Sequence, residues 1–311
     1  MQDLDISRRA AMTLGVAACA APVLAGRVEA QAAEAESPAE PGPRVHRISL
    51  GGFEVVTLLG GASMSQNPIE TFGLGANPEE FNALSKANFI PADRSGASFA
   101  LTLVKTPEAL VLFDTGMMPE INAAALAAAG HAPEEVTHVV LTHMHPDHIS
   151  GLISGGKPNF PKALLVAGRL ENEYWAANPS DAYSANVLPL IAKARLIEDG
   201  DEVLPGIRAE AAFGHTPGHM VFLLESEGEK LLISGDSFNH YVYTVQRPGW
   251  HVRFDVDKDM GVENRKRLLA RLATEGIPLI SYHFPFPALG YIGGDAEAGY
   301  RFFPATYQFG W

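Results

Sequence analysis

The chain reads as one compact α/β or α+β domain behind an export segment, and three observations support that reading. Its 311 residues are 47% hydrophobic with 30 Gly and 22 Pro, a composition suited to a loop-rich globular domain rather than a disordered one. Short apolar runs of β type repeatedly end in Gly, Pro, Asp or His. A segment near the C-terminus carries apolar residues at helical spacing instead.

Residues 1–25 read as a signal: Ser7-Arg8-Arg9 precedes the weakly apolar, Ala-rich stretch Ala10 to Ala25. Paired arginines before a modest apolar core look like a twin-arginine signal, which exports folded proteins, so the expected location is periplasmic. An ordinary secretory signal is the plainer alternative. Val16-Ala17-Ala18-Cys19 also resembles a lipoprotein box that would anchor the chain through Cys19, its single cysteine, so no intrachain disulfide is expected. Residues 26–45, rich in Ala, Glu and Pro, read as a disordered tether, and 46–311 as the folded domain. Within it, Phe99 to Val104 and Ala109 to Phe113 predict a hairpin split by Thr106-Pro107-Glu108. Pro119 to Ala129 predicts an Ala-rich helix ended by Gly130, Val136 to Leu141 a strand, and Ser184 to Ala194 a second helix. Met220 to Leu224, Leu231 to Ile233 and Pro278 to Tyr282 are further strand-like runs, and Asp259 to Glu275 an amphipathic helix.

The densest chemistry follows the Val136–Leu141 run. Thr142-His143-Met144-His145-Pro146-Asp147-His148 places three imidazoles and a carboxylate within six positions. Imidazole nitrogen with carboxylate oxygen suits zinc, and also manganese, iron or cobalt. The H-x-H-x-D-H order can serve two ions, His143 and His145 pointing together while Asp147 and His148 turn to a neighbouring position. Isolated candidates recur in similar settings: Asp114 after Leu112-Phe113, His215 in Gly214-His215-Thr216-Pro217-Gly218-His219, Asp236 after Ser234-Gly235, and His283 after Ser281-Tyr282. Spacing alone does not choose between His215 and His219. His46, His131, His138, His240 and His251 have no motif support and default to structural roles, although His240, four residues past Asp236, is also a candidate for the pocket wall.

Taken in order, Asp114, the H-x-H-x-D-H block, His215, Asp236 and His283 resemble the five motifs of the metallo-β-lactamase-fold hydrolases. The resemblance spans residues 46–311. It implies an α+β fold, an αββα sandwich of two mixed sheets with helices outside and metals at one edge. It also implies two divalent cations, zinc first among the candidates. One would be held by His143, His145 and His215 and the other by Asp147, His148 and His283, with Asp236 bridging them. Asp114 would orient a ligand imidazole. A water shared by two cations ionises near neutral pH and can attack an electrophilic carbonyl or phosphoryl centre, with Asp147 and Asp236 as the catalytic carboxylates.

Thr71-Phe72-Gly73, Asn77 to Phe81, Asn88 to Pro91, Tyr282 to Pro287 and Leu289-Gly290-Tyr291 look similar to the methyl parathion hydrolase branch of that superfamily, whose members hydrolyse aryl phosphotriesters and whose relatives open lactones or cleave aryl esters. The implied partner is therefore a small-molecule ester, lactone or organophosphate. Phe72, Trp175, Phe238, His240, Phe284 and Phe286, with Trp250, are the candidates for an apolar pocket. In the acyl-homoserine lactonases of this fold a Tyr stands three positions after the bridging Asp; here that residue is Asn239.

Competing readings are a β-lactamase, a glyoxalase II-like thioester hydrolase, a mononuclear persulfide dioxygenase and a non-catalytic periplasmic metal- or ligand-binding protein. A thioesterase for an anionic glutathione conjugate would call for basic residues after His215, which the sequence does not clearly show. Net charge of −13 argues against a nucleic-acid partner. No apolar run of about 18 residues follows the N-terminal segment, so no membrane span is expected in the mature chain. The aromatic end, Phe302-Phe303 through Phe309-Gly310-Trp311, can pack in cis or against a second copy, leaving monomer and homodimer both open.

Overall fold

Strands buried on both faces organise the molecule. The computed structural model describes residues 44–305. The expected signal, Cys19, residues 26–43 of the expected tether and residues 306–311 lie outside them. The first sheet has seven strands in the order β1(Val45–Leu50), β2(Phe53–Gln66), β3(Arg94–Lys105), β4(Leu110–Phe113), β5(His138–Val140), β8(Leu164–Gly168) and β9(Arg195–Ile197), with β6(Ile153–Ser154) and β7(Lys157–Pro158) forming a small separate ribbon. The second sheet runs β10(Glu202–Leu204), β11(Ile207–Ala211), β12(Met220–Ser226), β13(Glu229–Ile233), β14(Leu279–Ile280), β15(Leu289–Asp295) and β16(Gly299–Pro304). Both sheets are mixed, with parallel pairs β4/β5, β5/β8, β8/β9 and β13/β14 among antiparallel neighbours.

Side-chain alternation assigns the two faces of the first sheet to different cores. Val55, Val104, Val111 and Phe113 join Phe222, Leu224, Leu231 and Ile233 of the second sheet in the inter-sheet core. Their sequence neighbours Val56, Leu103, Leu110 and Leu112 face the other way and pack with Ala125 and Leu126 of α3(Pro119–Ala128). Leu268, Leu269 and Leu272 bring α7(Lys258–Glu275) onto the second sheet against β15. This helix starts at Asp257, whose side chain accepts from the Met260 N–H, and ends at left-handed Gly276. No described helix is long and apolar enough to cross a membrane.

β2 and β3 run on past the bulge between Leu59 and Ala62. Gly60 and Gly61 make that bulge feasible: a Cβ at Gly60 would stand 2.0 Å from Leu101 Cδ1, and Gly61 has φ +148°. The extension carries Ser63, Ser65, Ala97 and Phe99 toward the site described below.

The hairpin reading of Phe99–Phe113 matches β3 and β4, and Asp259–Glu275 matches α7 to within a residue. Ser184–Ala194 is not a regular helix: Tyr183–Val187 makes one wide turn, with Leu188 N bonded to Tyr183 O, and Ile191–Lys193 a 3₁₀ turn. Pro189 between them has no N–H to donate and crowds the preceding turn, which a helix there could not accommodate.

A smaller apolar cluster joins α1(Ile69–Phe72) and α2(Pro78–Ala87) to α6(Tyr243–Gln246), with Phe81 stacked on Tyr243 at 4.3 Å and on Trp250 at 5.5 Å. Trp250 therefore helps to close this cluster. His240 belongs here as well. Its ring lies 5.1 Å from Phe72 and 4.3 Å from Tyr243, and Nδ1 accepts from the N–H groups of Val242 and Tyr243 at 3.1 and 3.2 Å. It borders a side cavity of about 260 Å³ with Ile90, Pro91 and Tyr241, so the expectation that it lines the main pocket is corrected. Burial pushes its imidazolium down to about 3. The folded state thus binds fewer protons than the unfolded chain, whose imidazole titrates near 6.5; this stabilisation is full above that pH and is lost as pH falls toward 3. Urea unfolding at pH 7 and pH 5 should show the wild type losing about 2 kcal/mol more than His240→Gln across that interval. Equal losses would mean the cluster tolerates the charge.

Candidate metal centre

Parallel pairing near the middle of each sheet brings the motifs to one edge. β4 and β5 end together, delivering Asp114 and the loop Thr142–His148; β13 and β14 end together, delivering Asp236 and His283. His215 arrives from the turn between β11 and β12. Asp114 leaves its strand with φ +59°, a left-handed conformation that Asp tolerates better than most residues. Its Oδ1 accepts from Thr142 N at 2.9 Å, and its Oδ2 accepts from Thr142 Oγ1 at 2.8 Å and lies 2.8 Å from His148 Nδ1. A short helix, α4(Pro146–Ile149), then sets Asp147 and His148 one turn beyond the His143/His145 pair.

Seven side chains meet here. His143 Nε2 is 3.0 Å from His145 Nδ1, which is 2.9 Å from His215 Nε2. Asp147 Oδ2 is 3.6 Å from His148 Nε2 and 3.3 Å from His283 Nε2. Asp236 stands between the two sets: Oδ2 is 3.3 Å from His215 Nε2 and 3.1 Å from His283 Nε2, and Oδ1 is 3.3 Å from His148 Nε2. Ligand atoms arranged tetrahedrally around zinc at its usual bond lengths stand roughly 3.3 Å apart, the scale of these separations. His148 Nε2 and Asp236 Oδ1 are buried without any hydrogen-bond partner among the described residues. Orphaned buried atoms at mutual ligand distances fit cations that would take up their lone pairs. His143/His145/His215 and Asp147/His148/His283 could each hold one ion, and Asp236 could serve both.

Removal from water sets the proton inventory. Burial pushes His143 well below the usual imidazole range and His145 to about 2, with neighbouring imidazoles adding to the effect. Burial also opposes charge on His148, His215 and His283. Asp114, Asp236 and Asp147 outweigh it at His148, holding that pKa well above normal; Asp236 and Asp255 raise His215 to about 9; Asp236 and Asp147 raise His283. Burial would raise Asp236, but His283 and His148 prevail and hold it well below the carboxylate range.

A second layer fixes this cluster. Asp255 Oδ1 sits 2.9 Å from His215 Nδ1 and its Oδ2 accepts from the fully buried Arg265 at 2.9 Å. Glu171, 1% exposed, accepts from four donors around the loops that carry His143, His145 and His215. His219 accepts the Asp236 N–H on Nε2 at 3.0 Å, and burial lowers it to about 3, so it braces the Asp236 backbone outside the ligand cluster. Sequence reasoning missed Glu171, Asp255 and Arg265. Each sits among other charged residues in a run without motif, and only its burial distinguishes it from them.

The cluster forms the floor of a pocket of about 350 Å³. Its walls include Phe72, Phe99, Met117, Phe254 and Asn239, with Ser63, Ser65 and Thr71, and no Lys or Arg among the described residues. Of the aromatic residues expected there, Phe72 lines it. Phe238 and Phe284 are fully buried in the inter-sheet core, where each completes the packing beside a strand end. Trp175 packs edge-on to His145 at 5.8 Å and donates to Glu171 behind the site, and half-buried Phe286 is held by its N–H to Ser98 Oγ; neither is a wall residue. Phe99, Met117 and Phe254 take their places. Asn239 Nδ2 donates to Asp236 Oδ2 at 3.3 Å.

Residues 100–270 match the profile of the metallo-beta-lactamase superfamily, more than half of the chain. An N-acyl homoserine lactonase of Bacillus cereus is 26% identical over 192 residues, covering 48% of this chain and 74% of that protein. The lactamase-like protein nscB of Neosartorya fischeri is 30% identical over 147 residues, covering 46% of this chain and 38% of that one. Among solved structures, AidC, a dizinc quorum-quenching lactonase in complex with a product, superposes with TM-score 0.78 and 25% identity over 86% of this chain and all of that one. The hydrolase AbOPH gives TM-score 0.78 at 23% identity over 86% of this chain and 99% of its own, a likeness of fold. With an αββα arrangement of two mixed seven-stranded sheets and the motif residues gathered at one edge, this chain belongs to the metallo-β-lactamase superfamily.

Proposed function

We propose that this protein is a dinuclear metal-dependent hydrolase that opens lactones bearing an apolar substituent. The observation that carries the reading is seven ligand side chains converging beneath a pocket whose walls are apolar and free of cationic side chains among the described residues. Such walls suit a neutral electrophile with a hydrocarbon arm. They give no cation to an anionic glutathione thioester or to the carboxylate of a β-lactam. Relatives that are N-acyl homoserine lactonases support the same substrate class.

His143, His145 and His215 would hold one cation and Asp147, His148 and His283 the other, with Asp236 shared between them. Bound there, two divalent cations, zinc being well matched to this N/O set, supply an ionised water at neutral pH and polarise the electrophile's oxygen. Asp147 is the ligand carboxylate most open to the pocket, at 21% side-chain exposure, and is placed to take a proton and return it to the departing alkoxide. Asn239 has an amide that can turn from Asp236 toward the same alkoxide, where a phenol would otherwise donate. Phe72, Phe99, Met117 and Phe254 exclude water and bury the substituent.

A second reading, aryl phosphotriester hydrolysis, draws on the same neutral walls and the three aromatic rings among them. kcat/KM on an acylated γ-lactone and on an aryl phosphotriester should differ at least a hundredfold in favour of the lactone, about 2.7 kcal/mol of transition-state stabilisation; the opposite ratio transfers the assignment to phosphotriesters. Asp236→Ala should abolish turnover, and wild-type rates at matched metal content would remove Asp236 from the bridging role. Phe254→Ala should raise KM about tenfold for a long-chain lactone through lost apolar burial while sparing a short-chain one, and equal effects on both would place the substituent elsewhere.

A further inference from the structure

Glu171 lies behind the cluster, on the third residue of α5(Arg169–Ala177), where a carboxylate also meets the favourable end of the helix dipole. Its Oε1 accepts from the N–H of Met144 at 2.8 Å and from Trp175 Nε1 at 2.7 Å. Its Oε2 accepts from Thr216 Oγ1 at 2.6 Å and from the N–H of Gly218 at 3.0 Å. Met144 is the residue between His143 and His145, and Thr216 is the neighbour of His215. One buried carboxylate therefore ties together the two loops, about 70 residues apart, that carry one complete ligand set. The approach is tight. A Cβ on Gly218 would stand 2.0 Å from Glu171 N and 2.5 Å from its Cα, so only glycine lets the His215 turn abut the start of α5.

Resting on the dinuclear reading above, we propose that Glu171 is the positioning residue of the His143/His145/His215 ion, fixing the two loops so that the three imidazoles keep ligand spacing. It touches none of the seven ligand side chains of either set by hydrogen bond and makes no bond to the loop end that carries Asp147 and His148. Asp114 is the corresponding anchor on that side. Loss of the Glu171 clamp thus falls first on the His143/His145/His215 ion, and only a smaller share reaches the shared Asp236 through Gly218 and its neighbour His219, which accepts the Asp236 N–H.

Zinc affinity by chelator competition, and the absorption spectrum of the cobalt-substituted protein, test this in the full-length chain and in Glu171→Ala, Glu171→Gln and Thr216→Val. Each is also built on a His283→Ala background, where the other ligand set has lost a nitrogen and the remaining tight ion reports the first set. The expected result is one ion weakened 10–100-fold in Glu171→Ala, a smaller loss in Glu171→Gln, whose amide can still accept on one side, and the smallest in Thr216→Val. The second ion should be weakened less than the first and the cobalt spectrum altered. Thr216→Val deletes a single hydroxyl, so the test survives if the alanine variant fails to fold. Unchanged affinities in a wild type that binds two ions would overturn the proposal alone, as would a parallel fall of both ions with the melting temperature of the metal-free protein. A wild type that takes up no pair of ions would overturn the dinuclear reading and this proposal with it.

Discussion

Five imidazoles and two carboxylates crowd into a largely buried space, and most of what surrounds them serves to make that arrangement tolerable. His145 Nδ1 stands 2.9–3.0 Å from both His143 Nε2 and His215 Nε2, and with one lone pair or one proton it can satisfy only one of them. Burial drives His145 to about 2 while nearby carboxylates lift His215 to about 9, so adjacent rings are pushed toward opposite protonation states. Cations would relieve the conflict by accepting every lone pair at once. The Asp255–Arg265 pair shows the cost of holding the frame in place: an Arg with 1% exposure lies in the interior, held by Asp255 and by carbonyls of Ser237, Pro248 and Trp250.

Topology supplies the convergence. A purely antiparallel meander would send successive strand ends to opposite edges. The parallel pairs β4/β5 and β13/β14 instead place Asp114 beside Thr142 and Asp236 beside His283, and the two sheets face each other across a shared core so that these ends meet. Backbone bonds crossing the seam, such as Ala100 N to Tyr282 O and Met220 N to Thr142 O, fix one sheet's loops against the other's. Side-chain parity does the rest, because one residue of slip would exchange the inter-sheet face with the helix-covered face.

These features explain which parts of the protein the sequence disclosed. The residues that gather in the His/Asp cluster were legible because each sits within a few positions of an apolar strand and beside a turn former, a local pattern. The helix over Asp259–Glu275 was legible from period and caps. Ser184–Ala194 misled because its composition favours a helix while Pro189 forbids one. The pocket aromatics were the hardest to place. Phe238 and Phe284 adjoin ligand positions in sequence, yet their side chains turn into the core. Phe99 and Phe254 adjoin nothing distinctive and reach the pocket through the β2–β3 extension and the loop before α7. Glu171 and Asp255 depend on contacts 27 to 47 residues away, which no local window can contain.

The division of charge that results has a functional consequence. Asp114, Asp255 and Glu171 back the cluster, while the walls toward solvent are Phe, Met, Ala, Pro146, Asn239 and small hydroxyl residues. The periphery of this pocket therefore offers shape and apolar area, with no Lys or Arg among its described lining residues to demand an anionic group. Wall residues are supported by β2, β3 and the segment before α7, whereas ligand spacing is set by Asp114, Glu171 and Asp255. Phe99 packs edge-on to His283 at 5.7 Å, Asn239 donates to Asp236 and Phe254 adjoins Asp255, so substitutions at those walls also bear on the frame, whereas Phe72 and Met117 are the walls where substitution can redirect substrate preference with the frame intact.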